Sequence, residues 1–238
     1  MKLSIIIPVY NEEKTIKPLL NAVNKIRIVG IEKEIIVVDD GSTDASSRHI
    51  LSLQSQILNL KSIKHKKNLG KGAAVRTGIK RATGDYIVIQ DADLEYNPQE
   101  INKLIAPIIQ SRAQVVYGTR LKRLPNFKRD EGSLQPFLHY LGNKFLSLIT
   151  SILYAQWITD METCYKLFPK NALVGIELRS KGFEFEPEIT AKLLKKRYKI
   201  FEVPIATNPR NYHEGKKLYA FKDGPKALWA LIKYRFTN

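Results

Sequence analysis

The stretch Tyr86-Ile87-Val88-Ile89-Gln90-Asp91-Ala92-Asp93-Leu94-Glu95 joins an apolar run to two carboxylates that follow it directly. The apolar run, from Tyr86 to Ile89, predicts a buried strand. Because side chains alternate along an extended chain, Asp91 and Asp93 are expected to point the same way, into the crevice where open α/β sheets bind ligands. Carboxylates suit Mg²⁺ or Mn²⁺, which keeps its other positions for water and phosphate. The stretch therefore predicts a divalent-ion site for a nucleoside diphosphate at the edge of a sheet.

Strand-like and helix-like segments alternate through the first half of the chain. The strand-like segments are residues 3–9, 34–39, 60–64, 85–90 and 114–117, and the helix-like segments between them are residues 12–27, 44–53, 72–82 and 98–111. The strands are rich in β-branched residues and lack a polar face, which is typical of parallel strands covered by helices on both sides. This alternation predicts an α/β fold with a mostly parallel sheet.

After Arg120 the alternation ends. Residues 121–134 are charged and polar and predict a loop, whereas residues 136–158 have a helical period and are very apolar. Their uncharged part, residues 145–158, is shorter than the roughly 20 residues that a bilayer crossing needs, so we expect a packed or interface-lying helix. A strand at 164–168, a helix at 186–197, a strand at 199–203 and a basic, aromatic C-terminal helix follow.

The composition limits the kind of partner and the compartment. The net charge is +16, and basic residues dominate from Lys192 onward, which attracts nucleic acid, anionic lipid or phosphorylated substrates. The single cysteine, Cys164, excludes a disulfide framework and a cysteine-based zinc site. Met1 and Lys2 lead directly into the first predicted strand, which is too short for a secretory signal, so we expect a cytoplasmic protein.

Polar residues also follow the first three predicted strands. Pro8-Val9-Tyr10-Asn11-Glu12 ends the first strand and Val37-Val38-Asp39-Asp40-Gly41-Ser42-Thr43-Asp44 ends the second. Since carboxylates repel phosphate, Glu12 and Asp40 are interpreted as hydrogen-bond acceptors for a base or ribose, with a helix cap at residues 42–44 as the structural alternative. Asn68-Leu69-Gly70-Lys71-Gly72 follows the third strand and fits neither common nucleotide fingerprint. This stretch is interpreted either as a nucleotide contact through Lys71 or as a tight turn before the helix.

Together these motifs resemble family 2 glycosyltransferases of the GT-A fold. The matching pieces are Pro8-Val9-Tyr10-Asn11-Glu12, Val38-Asp39-Asp40-Gly41-Ser42-Thr43-Asp44, Gly70-Lys71-Gly72, Asp91-Ala92-Asp93 and Gly118-Thr119-Arg120. A narrower likeness to dolichol- or polyprenol-phosphate sugar synthases rests on Asp91-Ala92-Asp93-Leu94, Val203-Pro204-Ile205, Arg210 and Lys216-Lys217-Leu218. The resemblance implies one domain over residues 1–238, in which residues 1–120 bind the nucleotide sugar and residues 121–238 bind the acceptor.

The resemblance also implies a role for individual residues. The nucleotide-sugar site would consist of Pro8, Tyr10, Glu12, Val38, Asp40, Lys71, Asp91, Ala92 and Asp93. A Mg²⁺ or Mn²⁺ ion would be held by Asp91, Asp93 and Glu95. The donor and acceptor phosphates would face Arg120, Arg210 and Lys217, whose side chains bind phosphate oxygens. The catalytic residues would be Asp93, Arg120 and Asp160.

The function that follows is an inverting, metal-dependent hexose transfer. The donor would be a nucleotide-diphospho-sugar of the GDP-mannose or UDP-glucose type, and the acceptor a polyprenyl or dolichyl phosphate, which is already nucleophilic at neutral pH. A hydroxyl acceptor with Asp160 as general base stays open. We expect a peripheral location at the cytoplasmic membrane face, with residues 136–158 and 229–236 on anionic lipid, and leave open whether a membrane-anchored partner subunit is required.

Two other classes of protein are weighed against this function. A sugar-phosphate nucleotidyltransferase shares the order of strand and carboxylate, but it needs a glycine-rich basic loop after the first strand, and Pro8-Val9-Tyr10-Asn11-Glu12 lacks one. Nucleic-acid binding is suggested only by the charge. Since the sequence carries no recognition motif, specific nucleic-acid binding is not expected.

Overall fold

A computed structural model describes residues 1–120, 135–210 and 220–237, with the side chains of all of these except residues 135, 136 and 220–222. The strands are β1 (Lys2–Val9), β2 (Glu32–Asp39), β3 (Leu60–Lys64), β4 (Tyr86–Ile89), β5 (Val115–Thr119), β6 (Lys166–Pro169) and β7 (Ile200–Pro204). The helices are α1 (Ile16–Lys25), α2 (Ser46–Gln54), α3 (Lys71–Arg81), α4 (Ile101–Ile109), α5 (Gln135–Tyr154), α6 (Phe185–Lys195) and α7 (Ala220–Phe236). Short 3₁₀ turns at Pro98–Glu100 and Lys170–Leu173 complete the order.

The strands form one sheet in the order β3-β2-β1-β4-β6-β5-β7. Every neighbouring pair is parallel except the two pairs that involve β6. The predicted α/β fold with a mostly parallel sheet is thus confirmed. In the register of β1, Val9 pairs with Asp39 of β2 and Ile6 pairs with Ile89 of β4, so the ends of these three strands share one edge of the sheet.

The core lies on both sides of β1, β2 and β4. Their aliphatic side chains from Leu, Ile and Val are buried, and α1 contributes Ile16, Leu19, Leu20 and Val23, which recur at the three- and four-residue spacing of one helix face. Burial of each such side chain stabilises the fold by roughly 1.5–3 kcal/mol. This packing keeps the ends of the central strands in fixed positions.

At the opposite edge of the sheet, Glu34 organises a buried polar cluster. Its carboxylate accepts hydrogen bonds from the Ser4 hydroxyl (2.6 Å), the Thr83 amide (2.6 Å) and the Lys61 ammonium (2.9 Å). Burial raises the pKa of Glu34, but these hydrogen bonds outweigh burial and lower the pKa to about 2. Glu34 is therefore an ionised structural residue that joins β1, β2 and the turn before β4.

The second half of the chain departs from the predicted boundaries. The helix expected over residues 136–158 ends at Tyr154, because Ala155 adopts a left-handed conformation (φ 53°) and the Ile158 amide bonds to the Ser151 hydroxyl. The strand expected at 164–168 begins at Lys166, whose amide bonds back to the Cys164 carbonyl. None of the helices built from the described residues is both long and apolar enough to cross a membrane.

Candidate active site

Loops from four regions of the chain meet at the carboxyl edge of the sheet. Arg210, which follows β7, contacts residues of two other regions. Its guanidinium lies 3.0 Å and 3.1 Å from the carboxylate of Glu12, which follows β1, and 3.3 Å from the carboxylate of Asp93, which follows β4. Lys71, at the start of α3, lies 2.8 Å from Asp91. Residues that follow four different strands, β1, β3, β4 and β7, are therefore neighbours in the structure.

Lys71 begins a row of alternating buried charges. Its ammonium contacts Asp91 on one side and Glu186 (3.3 Å) on the other, and Glu186 in turn lies 2.6 Å from the fully buried Lys166. Burial alone would lower the pKa of Lys71, but the nearby Asp91, with Cys164 and Glu186, raises it well above its ordinary value. Lys71 is accordingly a permanent cation whose first partner is Asp91.

Asp93 lies among other acidic groups. Burial, together with the nearby charges of Asp91 and Glu95, raises the pKa of Asp93 to about 7, although Arg210 opposes the shift. The positive charge around these clustered carboxylates is too small to balance them. A bound divalent cation would stabilise their ionised form, so Asp91 and Asp93 fit Mg²⁺ or Mn²⁺. Within the described ranges, however, no three side chains of metal-binding types stand ready to hold an ion together. The predicted set of Asp91, Asp93 and Glu95 is thus not a preformed three-ligand site.

The carboxylate of Asp40 is occupied by the protein. It accepts hydrogen bonds from the amides of Leu69 (3.0 Å) and Gly70 (2.7 Å), and it lies 2.6 Å from Nδ1 of His65. The other ring nitrogen of His65 lies 2.9 Å from the Thr77 hydroxyl. A carboxylate offers about four acceptor positions, so these contacts use most of its capacity. In this structure Asp40 orders the connection between β3 and α3, and its contact with a base or ribose stays a prediction.

The two glycines around Lys71 allow a close approach of backbones. A Cβ at Gly70, which has φ of +98°, would lie 2.3 Å from the Lys181 carbonyl, and one at Gly72 would lie 2.7 Å from the Ser180 carbonyl. The amide of Ala73 donates to the same Lys181 carbonyl (3.1 Å). The chain near residue 181 therefore lies across the start of α3. This geometry favours the turn interpretation of residues 68–72 over a phosphate cradle.

Arg120 and Asp160 form a second cluster beyond the end of β5. The guanidinium donates from Nε and Nη2 to the two carboxylate oxygens, each at 2.8 Å, and the backbone amide of Arg120 adds a third bond at 2.9 Å. Asn143 of α5 donates a fourth bond at 2.7 Å. Burial would raise the pKa of Asp160, but the charge and hydrogen bonds of Arg120 lower it. Asp160 therefore acts as a counter-ion and has little basicity.

The remaining predicted residues differ in accessibility. Pro8, near the end of β1, and Tyr10, directly after β1, are partly exposed. Glu12 is buried beneath Arg210, and the side chains of Val38 and Ala92 are buried. Lys217 lies outside the described residues. Three residues of the site, Asn143, His65 and Glu186, were not predicted from the sequence. Each bonds to a residue distant in sequence, and no local pattern marks such contacts.

The chain is similar in sequence to known glycosyltransferases. The family model described as Glycosyl transferase family 2 matches residues 4–173. The UDP-N-acetylglucosamine–dolichyl-phosphate N-acetylglucosaminyltransferase of Methanococcus voltae is 35% identical over 220 residues, which cover 85% of this chain and 84% of that protein. The dolichol-phosphate mannosyltransferase of Pyrococcus furiosus is 32% identical over 219 residues, which cover 91% of this chain and 59% of the longer relative.

Solved structures with the same fold are more distant in sequence. Glucosyl-3-phosphoglycerate synthase from Mycobacterium tuberculosis in complex with UDP superposes with a TM-score of 0.75 at 16% identity, over 98% of this chain and 80% of that one. The same enzyme with Mn²⁺, UDP and phosphoglyceric acid gives a TM-score of 0.71 at 17% identity, over 100% of this chain and 79% of that one. At this identity the likeness concerns the fold.

Proposed function

The chain belongs to glycosyl transferase family 2, and we propose that it transfers a hexose from a nucleotide-diphospho-sugar to a polyprenyl or dolichyl phosphate. Two relatives above 30% identity carry names that pair a sugar transfer with dolichol phosphate. The single observation that carries the proposal beyond family membership is the Arg120–Asp160 pair. It provides a cation at the site while leaving Asp160 unsuited to remove a proton.

The donor half of the proposal rests on the carboxylates after β4. Asp91 and Asp93 would hold Mg²⁺ or Mn²⁺, which supplies positive charge to the departing nucleoside diphosphate. Solved structures of the same fold contain Mn²⁺ or Mg²⁺ together with UDP. Lys71 keeps Asp91 in place, and Arg210 contacts both Glu12 and Asp93. These residues would orient the diphosphate between the predicted nucleoside pocket and the sugar.

The acceptor half rests on what Asp160 cannot do. A hydroxyl acceptor needs a base within hydrogen-bond reach, and the buried Asp160 carboxylate already accepts bonds from Arg120 and Asn143. A phosphate monoester needs no base, because its second pKa is near 6 and it is anionic at neutral pH. Arg120, whose side chain is 28% exposed, would bind its oxygens. The geometry thus favours the phosphate acceptor over the hydroxyl alternative.

A peripheral membrane location would bring the protein to such an acceptor. One face of α5 exposes a row of apolar side chains at helical spacing: Phe137, Leu141, Phe145, Leu148 and Ile152. In α7, Trp229, Ile232 and Phe236 are exposed beside Lys233 and Arg235. Apolar helix faces with flanking basic residues bind reversibly to anionic bilayers, with about 1 kcal/mol for each nearby Lys or Arg.

The test of the transfer compares acceptors that differ only in the phosphate. Purified protein with Mn²⁺ is incubated with radiolabelled UDP-N-acetylglucosamine, UDP-glucose or GDP-mannose, and with either a short-chain polyprenyl phosphate or the corresponding polyprenol. We expect one donor to give labelled polyprenyl phosphate sugar, with release of one nucleoside diphosphate, and no transfer to the polyprenol. Equal transfer to the polyprenol would contradict the phosphate acceptor.

The membrane location is tested separately by liposome flotation. Phe145 is 53% exposed and Ile152 is 68% exposed, so F145E/I152E should reduce binding to anionic liposomes without unfolding the protein. The matched control is Leu51→Glu, which changes a residue of α2 that is 63% exposed. The α5 variant is expected to remain in the soluble fraction while the control floats with wild type. Equal flotation of the two variants would exclude α5 as the membrane contact.

A further inference from the structure

The chain after β7 is fastened to the loop that follows Asp93. This part of the chain comprises residues 205–210 and is called the 205–210 segment. Thr207 forms an antiparallel bridge with Tyr96, the Asn208 amide donates to the Glu95 carbonyl at 2.8 Å, and the Arg210 amide donates to Oε1 of the Glu95 side chain at 3.1 Å. The first two contacts involve backbone only. The third depends on the side chain at position 95.

This third contact fixes the residue whose guanidinium lies in the site. Arg210 reaches Glu12 with both terminal nitrogens and Asp93 with one of them, while its buried Nε has no hydrogen-bond partner among the residues that the structure describes. An arginine held at its backbone and at its terminal nitrogens has little freedom to rotate. Its position therefore depends on the anchor at Glu95 as well as on its two ion pairs.

The loop between the two acidic residues is shaped to place that anchor. Leu94 has φ of 61°, a left-handed conformation that a leucine rarely adopts, and the Glu95 amide donates to Oδ1 of Asp93 at 3.0 Å. Strained backbone of this kind persists when the surrounding contacts require it. Here the turn lets Asp93 face Arg210 from one side while Glu95 holds the backbone of the same residue.

We propose that Glu95 is a positioning residue for Arg210 and not a metal ligand. Its carboxylate holds the backbone amide of Arg210, and this bond keeps the guanidinium between Glu12 at the nucleoside end and Asp93 at the diphosphate end. The inference rests on the proposed function in one respect, namely that Arg210 binds substrate phosphate. It revises the expectation that Asp91, Asp93 and Glu95 share an ion.

The test measures amide hydrogen exchange and metal binding in the substrate-free protein. In E95A the exchange protection of the Arg210 amide should fall by about tenfold or more, since its acceptor is gone. In E95Q, whose amide oxygen can still accept the bond, protection should stay within about threefold of wild type. Binding of Mn²⁺ alone, followed by electron paramagnetic resonance, should change by less than about twofold in both variants.

Asp91→Asn provides the opposite pattern as a control. It should weaken Mn²⁺ binding by at least about tenfold and leave the Arg210 amide protected, because Asp91 contacts Lys71 and not the 205–210 segment. Unchanged protection of the Arg210 amide in E95A would overturn the proposal, and so would a tenfold loss of Mn²⁺ affinity in E95A. Neither measurement uses a sugar donor or lipid, so failure of the proposed transfer would be distinguishable from failure of this inference.

Discussion

The variant Asp160→Asn tests whether Asp160 positions Arg120 or acts as a general base on the acceptor. Asp160 is fully buried, and Arg120 contacts both of its carboxylate oxygens at 2.8 Å. Removing one member of a buried ion pair costs roughly 3–5 kcal/mol, and the partial exposure of Arg120 favours the lower end, about 3 kcal/mol. At roughly 2–4 °C for each kcal/mol in a chain of this size, D160N should melt about 6–12 °C below wild type.

The double variant R120M/D160N reverses this loss. It leaves no unpaired buried charge, so it should melt at a higher temperature than D160N alone. In the transfer assay, R120M and D160N should each lower the rate, and the double variant should be no slower than R120M. The coupling free energy should be at least about 1.5 kcal/mol, because both changes act through the same guanidinium. Thermal unfolding and initial rates with the donor found by the screen measure both quantities.

The variant Asn143→Ala tests whether any disturbance near Asp160 lowers stability and activity as D160N does. Asn143→Ala removes the hydrogen bond to Asp160 and the longer bonds from Ser147 (3.3 Å) and Glu162 (3.4 Å) but leaves the ion pair, so we expect a loss of about 1–2 kcal/mol in stability. Activity should fall far less than in D160N. If the rate losses of R120M and D160N were additive, and if D160N were as stable as wild type, Asp160 would be acting independently of Arg120 and would have no positioning role.

Three further predictions concern other parts of the molecule. Gly70→Ala should destabilise the protein by about 2 kcal/mol or more in urea unfolding, because the new Cβ would lie 2.3 Å from a carbonyl oxygen and φ is +98°. In the control Gly142→Ala, the new Cβ meets nothing within 4 Å. This variant should be neutral or more stable by up to about 1 kcal/mol. Glu34 has a pKa of about 2 when folded, below its ordinary value, so its contribution to stability is present at neutral pH and is lost as the pH falls toward 2. E34Q should therefore be less stable than wild type by up to about 3 kcal/mol at pH 7. Urea titrations should show that difference in stability shrinking below about pH 4. Mn²⁺ with UDP or GDP should raise the melting temperature of wild type, and either D91N or D93N should abolish that shift; a shift retained by both variants would exclude these carboxylates as the metal ligands.

The first half of the fold could be predicted because its signals are local. Strands β1, β2, β4 and β5 each contain a short apolar run followed by polar residues, and parallel strands bring their carboxyl ends to one edge. The start of the helix-like segment predicted from residue 98 is also confirmed, since a 3₁₀ turn begins at Pro98 and the Asn97 side chain accepts the Gln99 amide at 3.0 Å. These features depend on residues within a few positions of one another.

The contacts that complete the candidate site depend on residues far apart in the chain. Arg210 bonds to Glu12 across 198 positions, and Asn143 of α5 bonds to Asp160 across a left-handed residue and a turn. The Gly70-Lys71-Gly72 motif was visible in the sequence, but the backbone that approaches it comes from residues 180–182. No periodicity or local motif encodes such neighbours. The resemblance to a family indicated Arg120 and Asp160, and only the structure showed that they form an ion pair with each other.

The helix α5 explains why the apolar and charged features of the second half belong together. Its outer face carries the exposed row from Phe137 to Ile152, and its inner side holds Asn143 against Asp160, the partner of Arg120. A helix is about 10–12 Å across with its side chains, and an interfacial helix buries its apolar face about 5–10 Å into the headgroup boundary. In the proposed orientation Arg120 would therefore lie at the depth of lipid phosphates. A polyprenyl phosphate could then keep its tail in the bilayer and present its phosphate to the guanidinium, which requires no membrane-spanning helix in the described part of the chain.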